Sequence, residues 1–306
     1  MKNITLKVLA TAILMTAGFA HAEDNLYGKR EELIKRFQNT KPLVVAVYNQ
    51  ADNMGSDMAK TLEKALPLSN LMSSGLNRLV VLDVDKTIYN LNNDVLKNSD
   101  VLYAPVLLSG ELSKFGWKAV AFRNKLVSPV VIVQNSSSVK DIKDLKEKNI
   151  VSVPGLVQDY MLYNLIKSGV YGSKESTLGK YNKTEETSKK LLENLDNKII
   201  DAIVMNEKEA KILIGDGKKY RLVNSTVSSH DTAIFTGPNL SEAEISQVKN
   251  FFINLSSEDP KVKSALVAIG ENIDEKPQYV DVQEKELTLS AEVFRLTKLK
   301  EIFKKQ

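Results

Sequence analysis

The side chains with chemistry to offer stand where buried segments end. Residues 43–48, LVVAVY, are followed by Asn49 and Gln50, so a phenol, Tyr48, and two amides close an apolar run. A run without polar alternation is the pattern of a strand covered on both faces. The carboxyl ends of such strands are where open α/β sheets bind ligands. A second place is the Pro154-Gly155-Leu156-Val157 elbow, which ends the apolar run 150–153 and opens a helical pattern with Leu162, Leu165 and Ile166 on one face until Gly169. There a helix N-terminus would present backbone N–H groups and the positive end of its dipole. The third is 224–231, NSTVSSHD, which combines hydroxyls with an amide, an imidazole and a carboxylate. Such a cluster serves as turn chemistry or as a ring of ligand donors, and His230 is its most distinctive group.

Composition narrows what these groups could do. The chain has no Cys and two His, one of which, His21, lies in a leader-like segment. That excludes a His-based metal cluster and a conventional nucleophile with a His base. No Gly-rich phosphate loop or nucleophile elbow is present, and nothing calls for a cofactor. A pair of cleft carboxylates is the remaining route to hydrolysis.

Residues 1–22, MKNITLKVLATAILMTAGFAHA, carry two lysines, an apolar core and the small residues Ala20 and Ala22 around His21. This predicts a cleavable secretory signal peptide, its apolar run too short for a comfortable membrane span. With no Cys after it, a lipid anchor has no attachment point. The expectation is a soluble periplasmic protein beginning near Glu23, its formal charge falling from +4 to +2 without Lys2 and Lys7. So small a charge implies no nucleic-acid partner. About 280 residues remain, enough for two ordinary cores without disulfides.

The elements that must position these groups follow from periodicity. Helices are expected over 31–40, 54–66, 87–98, 184–197, 241–256, 260–269 and 291–305, and strands over 43–48, 79–84, 117–123, 129–134, 150–153, 199–205, 220–223 and 231–236. Ser138 followed by Asp141 reads as the N-terminal cap of a short helix with Val139, Ile142 and Leu145 on one face. Two strands, 117–123 and 129–134, follow each other without a helix, so 124–128 reads as a hinge between two lobes. The Lys-rich C-terminal helix is expected to wrap across the first lobe.

The order of these segments, above all the 130–133 run, the Lys-Asp-Leu-Lys helix at 143–146 and the strand-to-helix elbow, resembles periplasmic solute-binding proteins of the phosphate/phosphonate-binding ABC transporter type. The likeness extends from about residue 43 to 256. It implies an α/β, two-lobed, type II binding-protein fold, each lobe a mostly parallel sheet flanked by helices, with the ligand cleft between lobes. Lobe 1 would comprise 23–126 and 227–306, and lobe 2 would comprise 127–226. The resemblance implies ligand contacts from Tyr48 and Asn49, from Tyr103 and Pro105, from Gly155, Leu156 and Val157 at the elbow, from Asn206 after the 199–205 strand, and from His230 in the return crossover. It further implies a monomer that binds a small molecule and delivers it to an inner-membrane ABC permease, or presents it to a sensor kinase's periplasmic domain. One departure matters. Phosphonate-binding relatives place Ser and Thr at the elbow, where this chain has Leu156 and Val157, so an apolar or lipid-like ligand stands as the alternative to an oxyanion.

Overall fold

A computed structural model describes residues 24–48, 58–86, 91, 93–153, 156–171, 181–183, 188–215, 218–224, 227–268 and 277–296. The leader segment, Asn49 and the Pro154-Gly155 pair lie outside the described residues. The described residues begin with α1 (Asp24–Arg36), β1 (Leu43–Tyr48), α2 (Met58–Gly75), β2 (Val80–Lys86), α3 (Asn93–Asn98) and β3 (Val101–Pro105). A buried turn leads into the short α4 (Ser109–Leu112), after which β4 (Lys118–Arg123), β5 (Leu126–Val127) and β6 (Pro129–Gln134) follow without an intervening helix. Next come β7 (Ile150–Ser152), α5 (Leu156–Lys167), β8 (Tyr181–Lys183), α6 (Ser188–Asp196), β9 (Ala202–Asn206), α7 (Glu207–Ile214) and β10 (Tyr220–Asn224). The chain returns through β11 (Ser229–His230) and β12 (Thr232–Thr236) to α8 (Glu242–Ile253), α9 (Pro260–Ala268), β13 (Tyr279–Val280) and α10 (Glu284–Leu296).

Two mixed sheets form, in the orders β13-β4-β12-β3-β1-β2 and β10-β6-β9-β7-β8. In the first, β1 runs parallel to β2 and β3, while β12 pairs antiparallel with β3 and β4. In the second, β7 runs parallel to β8 and β9, while β6 is antiparallel to β9 and β10. The parallel character expected from the apolar runs therefore holds for only part of each sheet. Strands that pass directly between sheets, such as β6, arrive without a helical crossover and pair antiparallel. The passage itself is a two-stranded ladder, with Ser229 opposite Val127 and His230 opposite Leu126. It falls in the 124–128 stretch read as a hinge.

Alternation along the strands divides the apolar side chains into layers. On the first sheet Val45 and Val101 face one core with α2, α8 and α9, while Ala46, Leu102 and Ala104 face another. On the second sheet Val130, Ile132 and Ile203 face a core closed by Leu191 and Leu195 of α6. The remaining faces of both sheets meet a single continuous apolar cluster, which includes Leu107 and Leu108, the inward side of α5, and Val293 and Phe294 of α10.

Several boundaries differ from expectation for identifiable reasons. Helix α2 does not stop before Pro67 but runs through it to Gly75. Burial of Leu68 and Met72 beyond the proline offsets the hydrogen bond it removes, a cost of about 3 kcal/mol. The cap of the 3-10 turn Ile142–Leu145 is Asp141 in place of Ser138, with Asp144 completing a capping box. Helix α10 begins at Glu284, before the Ala291 expected, and it packs against both lobes where the sequence suggested one.

Candidate functional site

The carboxyl end of β1 delivers Tyr48 to the cluster between the sheets, where it is 2% exposed. Its hydroxyl is buried and has no hydrogen-bond partner among the described residues. Burial, reinforced by the negative charge of Asp83, pushes the phenol's pKa well above its ordinary value. Tyr48 is therefore a neutral O–H, able to donate one bond and accept others. Leaving such a group unpaired in a buried place costs about 1–3 kcal/mol, so this is the most conspicuous opening for a ligand atom.

Leu156 and Val157 form the first turn of α5, are 5% and 7% exposed, and belong to the same apolar cluster as Tyr48. They contribute apolar surface, and hydroxyls are absent from these two positions. Pro105 ends β3 opposite Thr232, and the next amide, Val106 N–H, donates to Asp231 O at 3.2 Å. Tyr103 sits in register with Val47 and packs with Val45 and Val101, on the face of the sheet opposite to Leu102 and Ala104. The structure thus brings Tyr48, Leu156 and Val157 into one cluster and directs Tyr103 to the other core.

Asn206 ends β9 and caps α7. Its Oδ1 accepts from Lys208 N–H at 3.0 Å, and its Nδ2 donates to Leu126 O in β5 at 3.4 Å. Both ends of the amide are engaged, one on a helix terminus and one on the hinge ladder. This is the N-cap geometry that favours Asn at such positions.

His230 is buried in β11 and stacked on Phe122 with ring centroids 5.0 Å apart. Its Nδ1 lies 2.8 Å from Glu286 Oε2, while Glu286 Oε1 accepts from both the His230 amide and the Ser229 hydroxyl. Burial works against ionisation of Glu286, but these hydrogen bonds outweigh it and hold the carboxyl below its usual range. Ser, His and Glu here do not form a nucleophile–base pair, because the serine hydroxyl is bonded to the carboxylate and not to the imidazole. Beside this cluster the fully buried Tyr160 and Ser290 share a 3.1 Å hydrogen bond. The next residue of the return strand, Asp231, places Oδ2 3.3 Å from Arg123 and 3.7 Å from Lys125, and its Oδ1 is buried without a partner among the described residues.

Glu286 and Ser290 did not emerge from the sequence as site residues. Helical spacing with His230's element cannot reveal them, since they are brought to it from a distant helix. In the segment 284–290, EKELTLS, nothing in the sequence separates the inward Glu286 from the exposed Glu284 two residues before it. Among the described residues no group of three or more His, Cys, Asp or Glu could hold a metal ion, and no helix is long and apolar enough to cross a membrane.

No protein-family profile and no curated protein matches the chain. Solved structures do. XAC2383 from Xanthomonas citri, bound to chloride ion, superposes with a TM-score of 0.60 at 11% identity, covering 85% of this chain and 98% of its own. PhnD1 from Prochlorococcus marinus in complex with methylphosphonate gives 0.56 at 16% identity, covering 83% and 97%. The periplasmic aliphatic sulphonate binding protein SsuA from Escherichia coli gives 0.51 at 12% identity, covering 86% and 88%. The fold is that of the two-lobed, type II periplasmic binding proteins. At these identities the likeness concerns architecture, as it does for a binding protein component of an ABC phosphonate transporter from Pseudomonas aeruginosa, which matches with a TM-score of 0.50 at 12% identity.

Proposed function

We propose that this chain is the periplasmic solute-binding component of an ABC-type uptake system, closing its two lobes on a small molecule and delivering it to an inner-membrane permease. The observation that carries this reading is the Tyr48 hydroxyl, buried at a strand's carboxyl end without a partner among the described residues, in a fold whose two sheets are joined by a short β5/β11 ladder. Strand ends of this kind are where α/β sheets take ligands, and a flexible connection between lobes lets ligand contacts from both sides favour the closed state. A binding role, with no catalysis, agrees with the transport proteins that share the fold.

The ligand is an oxyanion of the phosphonate or phosphate kind, accepting a hydrogen bond from Tyr48 and from first-turn amides of α5. The bound species named for PhnD1 and SsuA, a methylphosphonate and aliphatic sulphonates, support that chemistry. A second reading has its own observation: Leu156 and Val157 are buried where an anion site would use hydroxyls, which suits a ligand with a larger apolar body and a single polar end. Under either reading the same closed form could also be presented to a sensor kinase, and a gene neighbourhood with a permease and ATPase favours transport.

The test is native mass spectrometry of the protein purified from its own periplasm, before and after mild denaturation. Release of a small anionic mass supports the oxyanion. Release of a lipid-like mass replaces it with the apolar ligand. If no mass is released, and neither methylphosphonate, inorganic phosphate nor a fatty acid raises the melting temperature, the solute-binding reading fails.

A further inference from the structure

Helix α10 touches elements on both sides of the molecule. On the first lobe its contact is made by backbone. A Cβ built on Gly110 of α4 would lie 2.4 Å from Ala291 Cβ and 3.0 Å from Ala291 Cα, so the two helices approach as closely as a glycine permits. The Ser109 hydroxyl adds a 3.4 Å bond to Leu287 O, and Glu286 binds both residues of the crossover strand β11. On the second lobe the contact is made by side-chain tips. Tyr160 Oη meets Ser290 Oγ at 3.1 Å, and Tyr163 Oη donates to Glu292 Oε2 at 3.0 Å. Val293 and Phe294 complete the seam within the shared apolar cluster.

The two sides of α10 are thus unequal. A close backbone approach and a shared carboxylate fix it to the first lobe and the crossover. Two phenol hydroxyls, which can exchange protein partners for water at modest cost, hold it to α5. When packed units separate they part at the seam with fewer interlocked contacts, because close-packed surfaces are bistable and do not stretch.

We propose that α10 is an interlobe strap: it moves with the first lobe, and its docking on Tyr160 and Tyr163 of α5 sets the balance between closed and open forms. This rests on the reading of the molecule as a two-lobed hinge protein. It adds to that reading a holding contact outside the ligand cleft, one that stabilises closure before any solute binds. A ligand then needs less differential affinity to complete the closed state, and the strap sets how readily the empty protein opens.

The absence of Cys from the sequence makes the test direct. Lys114→Cys and Lys190→Cys, at exposed positions on the first and second lobes, carry spin labels, and the distance between them is measured by pulsed electron resonance on the ligand-free protein. Two pairs of variants remove the same hydroxyl contacts from opposite sides: Tyr160→Phe with Tyr163→Phe, and Ser290→Ala with Glu292→Ala. Each pair keeps its rings or backbone, and circular dichroism checks that each folds. The expected result is a second, longer distance in both pairs, with the open-to-closed ratio raised about tenfold, as loss of two hydrogen bonds implies. An unchanged distribution in a folded pair overturns the strap. A solute released in native mass spectrometry together with unchanged distances sinks the strap alone. Longer distances with no solute and no thermal shift sink only the solute-binding reading.

Discussion

Two polar places lie between the sheets, and they are built in opposite ways. Around Glu286 every oxygen of the carboxylate is used, by the Ser229 hydroxyl, the His230 amide and the His230 ring, and the adjacent Tyr160 and Ser290 satisfy each other. At Tyr48 a hydroxyl of equal burial has no partner among the described residues. The first arrangement fixes one packing, since a fully paired buried network specifies its geometry and an incomplete one is costly. The second carries an unmet demand that a molecule from outside can satisfy. The contrast separates positions that hold the fold from the position that waits for something, and it does so without reference to relatives.

The largest way to disturb the paired region acts on it from a distance. Gly110→Ala places a methyl against the backbone of α10, and overpacking of this kind costs about 3 kcal/mol. Urea denaturation should show that loss, with the tryptophan-independent far-ultraviolet signal retaining its native shape at zero urea. Glu286→Ala strikes the network directly, leaving the His230 amide unpaired and taking from the Ser229 hydroxyl its carboxylate acceptor, for a loss of about 2 kcal/mol.

The same carboxylate gives the comparison a pH signature. Its folded pKa is depressed below the ordinary value of 4.5. A depressed carboxyl contributes stability that is fully present above its unfolded pKa and is lost as pH falls through the lower, folded value. Glu286→Gln should therefore flatten the decline in melting temperature on acidification below about pH 4.5. A decline as steep as in the parent would show that the network's ionisation does not matter to the fold.

Tyr48→Phe tests the other side of the comparison and should carry the opposite sign. Removing a buried hydroxyl that has no partner among the described residues should stabilise the ligand-free protein by about 1 kcal/mol, while weakening solute binding about tenfold. A destabilised variant would mean that the hydroxyl already has a partner, and the contrast would dissolve. The smallest effect belongs to a pair outside both places. Lys118 and Glu242 approach to 2.7 Å, but their side chains are 60% and 80% exposed, so Lys118→Ala should change stability by less than about 0.5 kcal/mol.

Much of the scaffold was legible because buried strands write continuous apolar runs. Residues 43–48 and 130–133 read correctly as strands, and between 117–123 and 129–134, where no helix was expected, the chain passes from the first sheet to the second. The helix at 241–256 announced itself through Ser241 and Glu244, which form the capping box. What failed to show was whatever depended on pairing between distant elements. Helix α10 starts seven residues before the apolar periodicity suggests, because Glu286 and Ser290 turn inward toward polar partners and so look like a solvated turn in the sequence. Tyr103 could be placed at a strand end, but the face it occupies depends on the β1–β3 register, which sets it beside Val47. Asn206 looked like a ligand donor at a strand end, yet as an Asn before a helix it also matched an N-cap, and its side chain is spent that way.

The position of β12 has a consequence for how the chain comes to be assembled. This strand lies between β3 and β4 in the middle of the first sheet, yet it is made only after the whole second sheet has been synthesised. Until residue 232 emerges, β3 and β4 each present an open edge with no neighbour to share, and such edges invite pairing with other chains. Folding of the first sheet is therefore a long-range event with a high loop-closure cost, slower than folding of the inserted sheet. The inserted half should complete first, and the nascent protein should be most prone to aggregate in the interval before its central strand arrives.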